Sequence, residues 1–241
     1  MKRIIIGLVS FILVFSSTKT VLAATSFFDD FNDGNPDGWW LGYSLEHPWV
    51  FGNWRVEDGR FVQDANGDSF ASLVENNQYS SQIIETQIGL YSNVGYGGVV
   101  LWFKDVSNWV VVHLYPAYQR FTVWQSVDGT WTQTTYPYVP SSVYPTSDSL
   151  KVEANSVSGD LAVYLNNNHL FTHTVTTPNR TGQSGVLNGN NGGYFDNFSI
   201  PELTSPSDKK ECKKDGWKFF NWPTFTSQGE CIDYVQESLG R

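Results

Sequence analysis

Residues 97–130, GGVVLWFKDVSNWVVVHLYPAYQRFTVWQSVDGT, constrain this chain more than any other stretch. Short apolar runs rich in Val, Trp and Phe are broken by Asp105-Val106-Ser107-Asn108 and by Pro116-Ala117-Tyr118-Gln119. Runs this short, with turn residues at each break, predict three antiparallel strands joined by two tight hairpins. A loop over 116–119 sets Tyr115 opposite Arg120, His113 opposite Thr122 and Val111 opposite Trp124. A loop over 105–108 sets Lys104 opposite Trp109, Trp102 opposite Val111 and Val100 opposite His113.

Side chains alternate across a strand, so this register sorts the segment into two faces. One carries Val99, Leu101, Phe103, Val110, Val112, Leu114, Phe121 and Val123, with nothing polar, and is expected to be core. The other carries Trp102, Lys104, Trp109, His113, Tyr115, Arg120, Thr122 and Trp124. That set is too aromatic for an ordinary wet surface and too polar for a second core. It reads as a binding surface.

The rest of the chain repeats the pattern. Asp58-Gly59 separates two four-residue runs, as a two-residue hairpin requires. Residues 82–90 place Ile84, Ile88 and Leu90 on one side and Glu85 and Gln87 on the other, and Leu150, Val152 and Ala154 alternate inward. About a dozen short strands, 16% aromatic residues and 21 glycines predict an all-β fold, a two-sheet antiparallel β-sandwich. The aromatics Trp39, Trp40, Trp49, Phe51 and Trp54 admit two readings: a plug for one end of the sandwich, or a loop-borne ligand platform.

The N-terminus reads as an export signal, with Lys2 and Arg3 ahead of an apolar run over 4–15 and a small residue, Ala23, at the expected cleavage point. The run is too short for a comfortable permanent membrane span, and no second hydrophobic segment follows. Removal of 1–23 takes away three cations and no acid, moving the formal net charge from −9 to −12. An acidic chain whose basic cluster is confined to its last residues is a poor ligand for nucleic acid or an anionic membrane, and neutral partners are favoured. Cys212 and Cys231 are the two cysteines, and in an oxidising compartment they read as one disulfide.

Residues 203–208 read as a linker. Beyond it, 209–241 reads as a small helical hairpin: a short helix over 209–214 and a second opened by the capping-box pattern Ser227-Gln228-Gly229-Glu230. Cys212 and Cys231 would staple the two around Trp217, Phe219, Phe220, Trp222 and Phe225.

The sequence resembles the concanavalin A-like lectin/glucanase superfamily, in its LamG-like jelly-roll branch. The resemblance is carried by Phe28-Asp29-Asp30-Phe31, by 97–103 with Asp105 and Asn108-Trp109, by 150–154, by 163–167 with Leu170, by Ser184-Gly185-Val186-Leu187 and by Tyr194-Phe195-Asp196-Asn197-Phe198. It implies a jelly roll over 24–202 in which the sheet holding Trp102, Trp109 and Trp124 is curved with its aromatic face concave. Members of this superfamily bind glycans, hydrolyse them, or act in adhesion, so the fold alone leaves function open. The tail pattern resembles a short cysteine-paired tail of secreted bacterial proteins.

A sugar ring needs aromatic platforms beside polar donors and acceptors. Trp102, Trp109, Tyr115 and Trp124 can supply the platforms, and His113, Arg120, Glu85 and Gln87 the hydrogen bonds. The expected function is a secreted, non-catalytic carbohydrate-binding module with a glycan or polysaccharide partner, compatible with a cell-surface location. Glycoside hydrolysis is one alternative and a protein-binding adhesion domain another. Hydrolysis needs two carboxyl groups about 5–5.5 Å or about 6.5–9.5 Å apart. The Glu-x-Asp-x-x-Glu triplet that glucanases of this superfamily use does not occur. Pairing of first and last strands would bring Asp30 and Asp196 together, a possible structural calcium site.

Overall fold

The computed structural model describes residues 26–92, 94–137, 147–190 and 192–239; the expected export signal and most of the loop after Pro137 lie outside them. In chain order the strands are β1 (Phe27–Asp29), β2 (Trp39–Trp40), β3 (Trp54–Glu57), β4 (Arg60–Gln63), β5 (Phe70–Val74), β6 (Gln82–Leu90), β7 (Tyr96–Asp105) and β8 (Asn108–Tyr115). They continue with β9 (Arg120–Val127), β10 (Thr130–Pro137), β11 (Asp148–Ala154), β12 (Asp160–Leu165), β13 (Asn168–Thr174), β14 (Gln183–Gly189) and β15 (Gly193–Ile200). One sheet runs β13-β12-β11-β6-β15-β4-β3 with β1 added beside β15, and the other runs β10-β9-β8-β7-β14-β5-β2. Every pairing among the described residues is antiparallel. The protein is an all-β, two-sheet sandwich.

Turn chemistry fixes the hairpins. Asp58-Gly59, Asp128-Gly129 and Asn166-Asn167 each place two consecutive residues at positive φ, between 49° and 78°. Two-residue loops of this kind match the right-handed twist of the strands they join, and Gly, Asn and Asp tolerate the left-handed region best. The inward residues of both sheets meet in one apolar layer that includes Phe61, Ile84, Val112, Phe121, Val152 and Phe195. Leu150, Val152 and Ala154 are fully buried there, as their alternation predicts.

The β8–β9 register agrees with the sequence reading: Tyr115 opposes Arg120, His113 opposes Thr122 and Val111 opposes Trp124. The β7–β8 register does not. Val100 opposes Val111 and Leu101 opposes Val110, after which the ladder slips before Asp105 meets Asn108. The slip is a bulge at Trp102, whose φ is 50°. It leaves Leu101 and Trp102 both facing the inter-sheet core and turns Phe103 to the outer face. A left-handed backbone at a bulky residue costs roughly 1–2 kcal/mol. The burial of the whole indole and the bond from Nε1 to Ser80 O at 2.6 Å offset that cost. Gly182 accommodates the bulge, because a Cβ there would lie 2.5 Å from Phe103 O.

Two further expectations are corrected. Glu85 and Gln87 lie on β6, in the eight-stranded sheet, where Glu85 pairs with Lys151 and Gln87 with Ser149. They are exposed on that sheet's outer side, across the sandwich from the aromatic face. The tail contains one α-helix, α1 (Gln228–Leu239), preceded by a short 3-10 helix (Gly216–Phe219), rather than a helical hairpin. Residues 209–215 form turns, with Lys214 and Asp215 at positive φ. A six-residue segment gains too few helical hydrogen bonds to outweigh nucleation. Cys212 and Cys231 are disulfide-bonded, with Cα atoms 5.8 Å apart, and pack with Phe225 and Val235; Phe219 is 80% exposed instead of packed. The cap forms as read, with the Glu230 amide donating to Ser227 Oγ, while the Glu230 carboxylate accepts from the Thr226 amide.

Candidate functional site

The outer face of the seven-stranded sheet carries a second apolar layer. Ala71, Leu73, Val100, Val111 and Leu187 form its floor, and Trp40, Tyr96, Trp109, Tyr115 and Trp124 pack over them. The large rings make a row. Trp131 lies between Trp109 and Trp124, at centroid distances of 5.2 and 6.1 Å, and Trp124 is 4.8 Å from His113. Beyond His113, Tyr96 stacks on Tyr115 at 4.8 Å, and Tyr118 follows 4.9 Å from Tyr115. A polar floor would strand hydrogen-bonding groups beneath these rings; an apolar one does not.

At the Tyr end of the row is a cleft of about 240 Å³, lined by Tyr96, His113, Tyr115, Arg120, Trp124 and Asn190 together with Glu46 and Gly67. His113 sits opposite Gly98 on β7, where a Cβ would fall 2.9 Å from His113 Cβ. The missing side chain lets the two backbones approach, since a Cβ would also run into Val112 O; the His113 side chain is 1% exposed. Burial, with a smaller contribution from the Arg120 charge, pushes the His113 pKa down to about 3, so the ring is neutral at ordinary pH. Arg120 is held by rings, its guanidinium carbon 4.8 Å from the Tyr118 centroid, and it makes no ion pair among the described residues.

The polar groups of the cleft divide into two kinds. Some are tied down: Tyr96 Oη and Ser69 Oγ are 2.8 Å apart, Ser69 Oγ donates to Glu46 Oε1 at 2.7 Å, and Asn190 Nδ2 donates to Tyr115 Oη at 3.0 Å. Others are not: His113 Nδ1, Arg120 Nε and Trp124 Nε1 are buried without a hydrogen-bond partner among the described residues. Unpartnered buried polar atoms cost free energy, and three of them around one cleft point to a ligand or solvent that completes them.

Of the residues selected from sequence, His113, Tyr115, Arg120 and Trp124 come together here. Trp109 belongs to the same face but is 2% exposed, with Nε1 bonded to Val106 O, so it supports the row from beneath. Trp102 is in the core. Tyr96, Glu46, Asn190, Tyr118 and Trp131 join the site unanticipated. Tyr96 and Trp131 share the alternation parity of Val100 and Trp124, so their placement was available from pattern; Glu46 and Asn190 arrive from loops, which no periodicity reports.

Asp30 and Asp196 sit near the β1–β15 pair, which forms as expected. Asp30 Oδ1 accepts from the Asn32 amide and Asp196 Oδ1 from the Asn197 amide. Burial raises the Asp196 pKa, with the Asp30 charge adding a smaller part. Elsewhere, Glu46, His47 and Asp68 are the one group of three metal-ligating side chains that converges among the described residues, with ligand atoms within 4.8 Å of one another and His47 Nδ1 bonded to Asp68 Oδ2 at 2.8 Å. Two larger spaces, and a third of about 520 Å³ on the tail beside Phe225 and Tyr234, lack the unpartnered atoms of the cleft. One of about 350 Å³ lies beside Trp40, Tyr43 and Phe103. The other, about 570 Å³, lies between the tail and Glu153, whose carboxylate is already bonded to Lys151 and Tyr164.

The architecture is that of the concanavalin A-like jelly-roll sandwiches. The sequence matches no protein-family model and no curated protein, and the likeness is structural. A carbohydrate-binding module, CBM66, of Bacillus subtilis superposes with a TM-score of 0.55 at 17% identity, over 67% of this chain and 93% of that one. The Bacillus licheniformis β-glucanase gives 0.55 at 14% identity, over 73% and 96%. A Bacillus subtilis protein of unknown function with a galectin-like fold gives 0.56 at 8% identity, over 73% and 94%. At these identities the similarity defines the fold. Among the described residues no helix is long and apolar enough to cross a membrane.

Proposed function

We propose that this protein binds a saccharide in the cleft formed by Tyr96, His113, Tyr115, Arg120, Trp124 and Asn190, without cleaving it, and that residues 1–23 export it to an oxidising compartment. The observation that carries the reading is the set of three buried polar atoms, on His113, Arg120 and Trp124, left without partners beside exposed aromatic faces. Aromatic rings suit the C–H face of a sugar, and Nε–H groups of Arg and Trp suit its hydroxyls. The cleft volume suits one sugar unit. Solved structures of this fold include a carbohydrate-binding module and a β-glucanase, which agrees with a glycan ligand. The disulfide agrees with export.

Binding is favoured over hydrolysis because the strand residues that line the cleft, Tyr96, His113, Tyr115, Arg120 and Trp124, include no carboxylate. Glu46 is the one acid in the lining and is bonded to Ser69. A hydrolase needs two such groups flanking the scissile bond. The test is incubation of the protein without residues 1–23 with a panel of polysaccharides, scoring retention and reducing-end release together. Retention without release is the expected result; release would replace binding with hydrolysis, and neither would remove the saccharide reading.

A further inference from the structure

We infer that the turn-bearing segment 43–51 presents Trp49 as a second stacking subsite, so that the ligand is a chain of at least two sugar units running from the cleft past Glu46 and His47 onto Trp49. This rests on the saccharide reading and adds the ligand's length and direction to it. Trp49 is 75% exposed, an uncommon state for an indole, and Phe51 beside it is 68% exposed. Of the other tryptophans of this region, Trp39 and Trp54 are packed in the core and Trp40 against the outer apolar layer.

The segment is a built platform. Tyr43 bridges Phe51, the Ser44 amide donates to Val50 O at 2.8 Å, and the Val50 amide donates to His47 O at 2.8 Å around Pro48-Trp49. Ser44 Oγ accepts from the Glu46 and His47 amides. His47 is fixed by its 2.8 Å bond to Asp68, and its ring meets Trp49 at 5.6 Å, nearly edge-on. The backbone that carries Trp49 is held in one conformation, which lowers the cost of ordering it on binding.

Continuity links the platform to the cleft. Glu46 and Gly67 line the cleft, and their chain neighbours His47 and Asp68 form the hydrogen-bonded pair against which Trp49 packs. The path between the two ring surfaces is thus polar, with carboxylate and imidazole groups that suit hydroxyls. The same groups argue against other occupants. Glu46 and Asp68 would repel an anionic lipid surface.

The test measures affinities of the wild type and Trp49→Ala for β-1,3-glucan and β-galactan oligosaccharides of one to six units, by calorimetry. The wild type should gain roughly three- to tenfold in affinity between one unit and three. Trp49→Ala should lose that gain while keeping single-unit affinity, and its melting temperature should be unchanged because the ring is exposed. Equal length dependence in the two proteins, or a wild type that binds single units with no gain on lengthening, would overturn the subsite and leave the cleft reading intact. A wild type that binds no oligosaccharide in any series would overturn both.

Discussion

Arg120 stands directly opposite Tyr115 across β8 and β9, with its guanidinium carbon 5.6 Å from the centre of the Tyr115 ring. Stacking orients the cation and leaves its Nε without a partner. Lysine keeps the charge and loses the planar fork. Arg120→Lys should therefore lower saccharide affinity roughly tenfold with little change in melting temperature, since a half-buried cation without an ion pair adds little to stability. Unchanged affinity by calorimetry would mean that the charge, and not the guanidinium geometry, is what the cleft uses.

Trp102 and Trp124 separate stability from binding. Trp102 is fully buried and bonded to Ser80 O, so Trp102→Ala should cost about 3–5 kcal/mol in urea unfolding. Trp109→Ala should also destabilise, because that ring is 2% exposed. Trp124 is only partly buried, and Trp124→Ala should cost less stability than either while weakening binding roughly tenfold. The comparison needs both readouts on all three proteins; a Trp102→Ala variant as stable as the wild type would contradict the bulged register of β7.

His113 gives the fold an acid sensitivity. Its folded pKa is about 3, below the value near 6.5 of the free side chain. Between those values the unfolded chain binds a proton that the folded chain does not, so stability falls as pH drops through that window, by up to about 1.4 kcal/mol per pH unit. Above pH 6.5 this contribution is complete and flat. His113→Gln, which cannot titrate, should show a shallower decline of unfolding free energy between pH 6.5 and pH 4 than the wild type. Parallel curves would place the acid sensitivity in other groups.

The disulfide should act locally. It closes a loop with a sequence separation of 19 around a cluster of Cys212, Phe225, Cys231 and Val235 too small to stand alone. In the chain-entropy model a loop of that size is worth about 3 kcal/mol. Cys212→Ser/Cys231→Ser should make residues beyond Ser205 sensitive to proteolysis while the sandwich keeps its melting temperature. A lowered sandwich melting temperature would show that the tail braces the sheets.

Strand order of polarity, turn residues and hairpin chemistry were legible in the sequence because they are local. Asp58-Gly59, Asp128-Gly129 and the Pro116 loop fix their own geometry, and alternation then assigned Val110, Val112 and Phe121 to the core and His113, Tyr115 and Trp124 to the opposite face. The tail disulfide followed from there being two cysteines. Which sheet a strand joins is not a local property: Glu85 and Gln87 alternate correctly on β6, yet β6 lies between β11 and β15, across the core from the aromatic row. Nor is the bulge at Trp102, which exists because the inter-sheet space accepts an indole and Gly182 yields to the displaced backbone. Glu46 and Asn190 reach the cleft through loops whose direction is set by the sheets they connect. The sequence by itself determined the elements and their two faces; only the packing of one sheet on the other decided which aromatic rings are core and which stay on the outer face.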